Sequence, residues 1–373
     1  MNFAYDKVKD GKGWSRPLKD MRAQLGGLDY FNDLYTPVIE LHYWADDSNI
    51  IAVDEALKSD KPFIYPLRYQ NFPYTPTEWQ GFNRFREFSL ELVESINNGQ
   101  CKFVLDDLRE NTDWAELGKY LVEKLQEAMI DPKNVIVLTM GHTYTYEEFP
   151  FKIIHWNFFE SYIRSQIKDD FRPKKDTAKK FLCLARHPKD FRTNFVRQMW
   201  DRGILDQFNV SLGKVEGDDE FARNTPIYYD TRTVHDGSLG FKAITGLDPQ
   251  HQEESYINIV LESIYHNPNM LSNISEKTWK PIAMKMPFIM VGMPHTLRRL
   301  RDLGYQTFPW DESYDEIEDP EERMTAIVNL VSHLNSSKDF KDIIKSCESI
   351  VKHNFDLIKL RRPEHAMVKA LSE

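Results

Sequence analysis

Short apolar runs alternate with amphipathic helical patterns along the first 140 residues. Runs with the length and composition of strands lie at Val38–Trp44, Pro62–Pro66, Cys101–Leu105 and Val135–Leu138. Between them, apolar residues recur at helical spacing in two sets, Phe85, Phe88, Leu92 and Ile96, then Leu117, Leu121, Leu125 and Met129. Parallel strands need a crossover connection, usually a helix, so this alternation predicts an α/β unit with a parallel sheet.

The same alternation returns in the second half of the chain. Strands are predicted at Phe181–Leu184, Tyr256–Leu261 and Phe288–Val291, and the helix after the first strand is predicted to bury Phe195, Val196, Met199 and Trp200. Two amphipathic helices follow, one carrying Ile327, Leu330, Val331 and Leu334, the other Ile343, Ile344, Cys347, Ile350 and Val351. A second α/β unit with a helical tail is therefore predicted.

A charged segment with almost no apolar residues, Lys168–Lys180, separates the two halves and is typical of an exposed linker. The predicted organisation is one domain at 1–168, a linker at 169–180, a second domain at 181–326 and C-terminal helices at 327–373. Ligands of open α/β sheets bind at the carboxyl ends of the strands, so functional side chains are expected there. This architecture by itself fits nucleotide-sugar transferases, periplasmic-type binding proteins and several kinases.

The composition excludes several classes of protein. The 373 residues include 58 Asp and Glu against 48 Lys and Arg, and this net charge of −10 argues against binding nucleic acid along the whole surface. Cys101, Cys183 and Cys347 form no CxxC pair, so neither a disulfide framework nor a zinc ribbon is predicted. We find no apolar stretch that fits a signal peptide or a membrane span, and a cytoplasmic protein without membrane contact is expected.

Most sequence motifs of nucleotide and hydrolytic enzymes are absent. The chain has no GxxxxGK[ST], no GxGxxG fingerprint, no HExxH and no GxSxG. It also has no Asp-x-Asp, the carboxylate pair that usually holds a divalent ion on a nucleotide diphosphate. Two other segments remain as candidates for chemistry.

The first candidate segment directly follows the predicted strand at 181–184. It delivers several cations to a loop and the first turns of a helix, Arg186, His187, Lys189, Arg192 and Arg197. Cations at a helix amino terminus oppose the helix dipole, so they are poorly placed for stability. They favour a bound anion shared with the free backbone N–H groups. The alternative is a solvated basic helix face.

The second candidate segment opens another helix with Ser275, Glu276, Lys277 and Thr278 and reaches Lys280 one turn later. A carboxylate accepts hydrogen bonds from two ribose hydroxyls, and an adjacent ammonium group meets a diphosphate at the same helix start. An ordinary N-cap with exposed charges is the alternative.

These residues also resemble a family. Glu276-Lys277, the helix after them and Pro287-Phe-Ile-x-x-Gly292 resemble the donor-binding signature of fucosyltransferase-like GT-B glycosyltransferases. Arg192-x-x-Phe195-Val196 resembles the first helix of their nucleotide-binding domain, and the stretch from Leu297 to Asp315 is similar to glycosyltransferase-like proteins of tailed bacteriophages. The resemblance spans roughly residues 179–330.

The resemblance implies an α/β fold of two Rossmann-like domains facing across a cleft, with C-terminal helices. It implies a nucleotide diphosphate sugar on the second domain, the acceptor on the first, and no obligatory metal or other cofactor. The donor-binding residues are then predicted to be Arg186, Arg192, Arg197, Ser275, Glu276, Lys277 and Lys280.

An inverting enzyme of this kind needs a general base, which we expect to be a carboxylate at the carboxyl end of a strand. Asp106, Asp107 and Glu110 follow the predicted strand at 101–105 and are the candidate catalytic residues. Glu147 and Glu148 are rivals, and a solvated acidic loop is the alternative for each.

The sequence thus favours a metal-independent, inverting glycosyltransferase. The acceptor that we expect is a hydroxymethylated base of phage DNA, to which glucose or arabinose would be transferred. Double-stranded DNA with modified bases is therefore an expected partner beside the nucleotide sugar. A saccharide or lipid-linked acceptor is the alternative within the enzyme class. A non-catalytic two-domain nucleotide or sugar binder and a phage structural protein are the alternatives outside it.

Overall fold

The computed structural model describes residues 2–5, 8–9, 15–16, 50–68, 85, 88–107, 114–140, 142–143, 149–167, 178–185, 188–212, 228–229, 247, 252–267, 270–272, 274–310, 314–363 and 369–371. The chain divides into two compact units, Met1–Phe158 with Glu364–Glu373, and Phe159–Pro363. The predicted strand at 38–44 and most of the charged segment at 168–180 lie outside the described residues. The predicted domain limits stay a prediction.

The first unit contains a parallel sheet of six strands. Its strands are β1 (Asn2–Tyr5), β4 (Ile50–Ala52), β5 (Phe63–Arg68), β6 (Cys101–Asp107), β7 (Val135–Thr139) and β9 (Lys152–His155). Their spatial order is β4-β1-β5-β6-β7-β9. Two short strands, β2 (Val8–Lys9) and β3 (Ser15–Arg16), pair antiparallel, and β8 covers His142–Thr143.

Helices α1 (Val53–Leu57), α2 (Leu90–Asn97) and α3 (Trp114–Glu127) connect strands of this sheet. All five residues of β7 are buried, as expected for a parallel strand covered on both faces. Phe103 of β6 makes edge contacts with Phe85 and Phe88, at ring-centroid distances of 5.7 and 5.5 Å. Aromatic pairs in this geometry stabilise a core beyond the area that they bury.

The two predicted helices of this unit are shorter than their apolar patterns. Ser89 caps the amino terminus of α2 by accepting from the Leu92 N–H, so Phe85 and Phe88 precede the helix and pack as part of its connecting segment. The helix α3 ends at Glu127, and Met129 adopts a φ of 60° with 64% of its surface exposed. Placing these three residues on helices was therefore wrong.

The second unit contains a parallel sheet of five strands. Its strands are β10 (Lys179–Ala185), β11 (Phe208–Leu212), β12 (Tyr228–Tyr229), β13 (Ser255–Leu261) and β15 (Phe288–Val291), and the short β14 covers Met270–Ser272. The spatial order of the sheet is β12-β11-β10-β13-β15. In chain order this is 3-2-1-4-5, the order of a doubly wound nucleotide-binding sheet.

Seven helices follow the boundary between the units or begin at it. They are α4 (Phe158–Ser165), α5 (Asp190–Asp201), α6 (Glu276–Ala283), α7 (Thr296–Asp302), α8 (Pro320–Ser336), α9 (Phe340–Ser346) and α10 (Glu348–Leu360), counted over the described residues. Phe195, Val196 and Met199 of α5 are buried as predicted, whereas Trp200 is 38% exposed, so its assignment to the buried face was wrong.

The predicted helix over 343–351 is two helices that meet at Cys347. The Cys347 N–H donates to the carbonyl oxygen of Ile344 at 3.1 Å, which is a tighter 3₁₀-type turn and ends the α-helical ladder of α9. The prediction of an α/β fold with parallel sheets is otherwise confirmed. Among the described helices, none combines the length and apolarity needed to cross a membrane.

Candidate functional site

The strand order of the second sheet reverses between β10 and β13. Cys183 lies beside Ile259 in this pair, and the same register places Ala185 level with Leu261 at the carboxyl ends of the two strands. The sheet continues through β11 on one side and through β15 on the other. Ligands of open α/β sheets bind at such a reversal, because the loops on either side diverge there. We call this place the switch-point edge.

A buried carboxylate organises the switch-point edge. Glu262 directly follows β13 and its side chain has no solvent exposure. One carboxylate oxygen accepts from the Ser275 N–H at 3.0 Å and from the Thr278 hydroxyl at 2.5 Å, and the other accepts from the Ser263 N–H at 3.0 Å. Burial of a charge is tolerated when such hydrogen bonds satisfy it. Glu262 therefore ties the end of β13 to the start of α6.

The ammonium group of Lys277 lies at the start of α6. It donates to Glu276 Oε1 at 2.6 Å, to Ser263 Oγ at 3.1 Å and to Ser275 Oγ at 3.3 Å. Ser275 is also the N-cap of the helix, since its hydroxyl accepts from the Lys277 N–H. The lysine side chain keeps 26% of its surface exposed, so the ammonium is held in place but open to solvent.

Glu276 is buried beside this ammonium. Burial on its own raises the pKa of the Glu276 carboxyl, but the charge and hydrogen bond of Lys277 and the charge of Lys280 outweigh it and hold the pKa below its usual range. The group is therefore ionised at neutral pH and acts only as a hydrogen-bond acceptor.

Two cations from the other side of the reversal hold the same loop. Lys189, the N-cap of α5, donates from Nζ to the carbonyl oxygen of Ser263 at 2.7 Å. Arg192 is 3% exposed and donates from Nη2 to the carbonyl oxygen of Glu262 at 2.6 Å. Burial lowers the pKa of Arg192, and the nearby charges of Glu262 and Glu276 oppose that change.

Aromatic packing fixes the rest of the loop after β13. The ring of Tyr265 stacks on Phe191 at a centroid distance of 5.2 Å and an interplanar angle of 14°. The Arg323 guanidinium lies 4.6 Å from the Tyr265 centroid and donates to the Tyr265 carbonyl oxygen at 2.7 Å. The Tyr265 hydroxyl donates to the carbonyl oxygen of Pro320 at 2.6 Å. A loop held in this way presents its polar groups in one arrangement.

The residues predicted to bind the donor lie in different places. Ser275, Glu276 and Lys277 contact one another at the switch-point edge. Arg192 is buried beneath this edge and donates to the carbonyl oxygen of Glu262. Lys280 is half-buried in the last turn of α6 and acts on Glu276 through its charge. Arg197 is exposed on α5, seven residues beyond its first residue, which corresponds to about 10 Å along the helix axis. Arg186 lies outside the described residues.

The predicted catalytic residues belong to the first unit. Asp106 and Asp107 are the last two residues of β6, so the strand extends two residues beyond its predicted end. Asp107 is paired with Thr139 in β7, which places its backbone at the carboxyl edge of the sheet. Glu110 and the rivals Glu147 and Glu148 lie outside the described residues.

Sequence reasoning missed Glu262 and Ser263 as site residues. The available signal was a glutamate directly after the apolar run Ile257–Leu261, at the carboxyl end of a strand that was itself predicted correctly. Lys189 was noted among the cations after β10, but its contact with Ser263 depends on the strand order, which a single sequence does not reveal.

In the part of the chain that the structure describes, no group of three or more His, Cys, Asp or Glu side chains is arranged to hold a metal ion. At the switch-point edge, the ammonium groups of Lys189 and Lys277 keep part of their surface open to solvent. Such a donor set suits an anion with several oxygen atoms.

No protein-family model and no curated protein matches the chain. Among solved structures, the DNA-modifying enzyme β-glucosyltransferase, described with and without uridine diphosphoglucose, is 11% identical over 100% of both chains with a TM-score of 0.43. T4 phage BGT in complex with UDP and Mn2+ is 12% identical over 100% of both chains with a TM-score of 0.43. An α-glucosyltransferase in complex with UDP-glucose and DNA containing an abasic site is 10% identical over 88% of this chain and 87% of that chain, with a TM-score of 0.42. Likeness this remote assigns no activity, so the function rests on the residues themselves.

Proposed function

We propose that the protein is a nucleotide-sugar-dependent glycosyltransferase that binds its donor at the switch-point edge of the second unit. The observation that carries this proposal is the Glu276–Lys277 pair, held 2.6 Å apart at a helix start on the reversal of a doubly wound sheet. The pair places one hydrogen-bond acceptor and one cation close enough together to contact the same nucleotide.

Lys277 is the proposed diphosphate ligand. An ammonium at a helix start is disfavoured by the helix dipole. A phosphate at the same place is favoured both by the dipole and by the ammonium. The three hydrogen bonds to Glu276, Ser263 and Ser275 hold the ammonium in place before the donor arrives. Binding then exchanges one of these contacts for a phosphate oxygen, and little side-chain entropy is lost.

Glu276 is the proposed ribose ligand. Its lowered pKa keeps it ionised, so both oxygens accept hydrogen bonds and neither donates. Two adjacent ribose hydroxyls are matched donors for such a group. Arg192 and Glu262 bind backbone and helix-start groups, so we assign them to positioning the loop and not to direct donor contact.

The finer parts of the reaction are also proposals. A base among Asp106, Asp107 and Glu110 would deprotonate the acceptor hydroxyl, with inversion at the sugar carbon. The cations of the second unit would stabilise the leaving diphosphate, which makes a metal dispensable. Activity is then expected to persist in EDTA, and loss of activity that manganese or magnesium restores would contradict this part.

The proposed acceptor is a hydroxymethylated base of double-stranded DNA. The phage-like stretch from Leu297 to Asp315 supports this choice, while the net charge of −10 confines DNA contact to a local basic region. Polyanion binding weakens steeply with salt, whereas binding of a neutral saccharide does not. Transfer assays on both acceptors between about 50 and 200 mM salt therefore separate them. Over this range, a protein that makes roughly six to ten phosphate contacts loses about 10³–10⁵ in affinity for DNA.

The deciding experiment is calorimetric titration of Lys277→Ala with UDP-glucose and with the GDP, CMP and ADP sugars. A hydrogen bond to a charged group is worth roughly 1.5–3 kcal/mol, so affinity for the preferred donor should fall about ten- to a hundredfold. Lys338→Ala, an exposed lysine outside the site, is the control and should bind as the wild type does. Equal affinity in both variants, or no donor bound by the wild type, would remove the main support for the proposal.

A further inference from the structure

A cavity of ≈ 620 Å³ lies at the opposite edge of the second sheet, where its strands begin. Tyr256 at the start of β13 and Pro287 just before β15 form one wall, and α9 and α10 form the other. Glu262 lies six positions after Tyr256, which corresponds to about 20 Å along the strand. The cavity is therefore separate from the switch-point edge.

The floor of the cavity is apolar. It is formed by Ile344 of α9 and by Val351 and Phe355 of α10, together with Tyr256 and Pro287. Phe355 and Pro287 are buried, while Ile344 and Val351 are half-buried and keep part of their surface toward the cavity. Small-molecule sites typically have volumes of about 300–1,000 Å³ and apolar linings of this kind.

The rim of the cavity is cationic although the whole chain is acidic. It carries the ammonium groups of Lys285, Lys341, Lys345 and Lys352 against the carboxylates of Glu348 and Asp356. Lys352 forms an ion pair with Asp356, and the Lys285 ammonium lies 4.2 Å from the centroid of the Phe355 ring. The rim therefore has an excess of positive charge that its own acids do not neutralise.

Lys341, Lys345 and Glu348 are the rim charges with no ion pair or hydrogen bond inside the described residues, so the two lysines are not neutralised by a contacting acid. The two lysines are four residues apart on the exposed side of α9, where like charges repel each other. A single anionic group between them removes that repulsion and gains two charge-assisted hydrogen bonds. A polyanion such as DNA would use these lysines but not the apolar floor beneath them.

From this combination we propose that the cavity binds an amphiphilic anion, a ligand with an apolar chain and one carboxylate head. The chain lies on Ile344, Val351 and Phe355, and the head lies between Lys341 and Lys345. The proposal does not depend on the glycosyltransferase assignment, because the residues involved lie at the other edge of the sheet.

Calorimetric titration with dodecanoate tests it, with dodecyltrimethylammonium as the cation of equal chain length. The wild type should bind one dodecanoate per chain, and the cation should bind at least tenfold more weakly. Lys341→Glu combined with Lys345→Glu should weaken dodecanoate binding at least tenfold. Lys338→Glu reverses an exposed charge outside the cavity and should leave the affinity unchanged.

Melting curves accompany each titration, and Lys345→Ala replaces the double variant if that variant does not fold. Equal affinity for the two detergents would mean that the apolar floor alone binds, and equal affinity in the charge-reversed and wild-type proteins would remove the lysines from the site. Either result overturns the proposal. It is also overturned if the wild type does not bind dodecanoate, whether or not it binds an acidic amphipathic peptide.

Discussion

The guanidinium of Arg192 donates to the carbonyl oxygen of Glu262 at 2.6 Å and so joins the helix after β10 to the end of β13. This contact lies at the reversal in strand order, beyond the carboxyl end of the β10–β13 pairing. Arg192 thus lies at the predicted position, but its guanidinium faces the protein's own backbone. The positive charge is used to build the edge on which the donor is proposed to bind.

Arg192→Ala should lower the free energy of unfolding by about 1–3 kcal/mol, because it leaves a buried carbonyl group without its partner. Arg197→Ala on the same helix is the matched control, since an exposed substitution usually changes stability by less than about 0.5 kcal/mol. Urea unfolding of both variants gives the comparison. Similar losses in the two would mean that the Arg192 contact contributes little.

Glu262→Gln should lower both stability and donor affinity. The amide keeps one acceptor oxygen where the carboxylate uses two, and its NH₂ group meets the N–H of Ser263 or the groups of Ser275 and Thr278. We expect a loss of about 1–3 kcal/mol in unfolding free energy. Glu94→Gln, on the exposed side of α2, provides the control. Unfolding curves together with donor titration would reveal whether the loop remains in place.

The carboxyl of Glu276 should make stability depend on acid pH. Its folded-state pKa lies below the unfolded value, so its contribution is fully present above the unfolded pKa, near 4.5, and is lost as the pH falls through the folded pKa. The difference in unfolding free energy between wild type and Glu276→Gln should therefore shrink from neutral pH into the acid range. Urea unfolding at a series of pH values measures it, and a constant difference would contradict the ionised pair.

Among Asp106→Asn, Asp107→Asn, Glu110→Gln, Glu147→Gln and Glu148→Gln, one substitution should abolish turnover and leave donor affinity nearly unchanged. A general base acts in the transition state and typically contributes 10²–10⁴-fold, whereas the donor is proposed to bind to the second unit. Steady-state rates and donor titration of the five variants are the measurements. Normal turnover in all five would place the base elsewhere or indicate a retaining reaction.

The strands β13 and β15 were predicted most closely, whereas β1, β4, β9, β11 and β12 were not predicted. Phe288–Val291 was predicted with its observed limits, and β13 differs from its prediction by one residue, because buried parallel strands are short, continuous apolar runs. Helix limits were less predictable. Phe85 and Phe88 follow a helical period but pack before a capped start at Ser89, and a local apolar pattern does not distinguish these cases.

For the site, the sequence indicated the residue types but not their partners. Ser275, Glu276 and Lys277 are neighbours in sequence, so their cluster was predictable from the helix-start pattern. The contact of Lys189 with Ser263 spans 74 positions and exists because β13 lies beside β10. Contacts of this range follow from strand order, which is a property of the whole sheet.

The first unit is assembled from both ends of the chain. Lys102 of β6 donates to the carbonyl oxygen of Leu371 at 2.7 Å, and Lys152 of β9 donates to that of Ala370 at 2.8 Å. During synthesis, residues 370 and 371 leave the ribosome only after the whole of Phe159–Pro363 has emerged. These two hydrogen bonds therefore form only after the second unit has had time to fold, and until then the two ammonium groups remain in water.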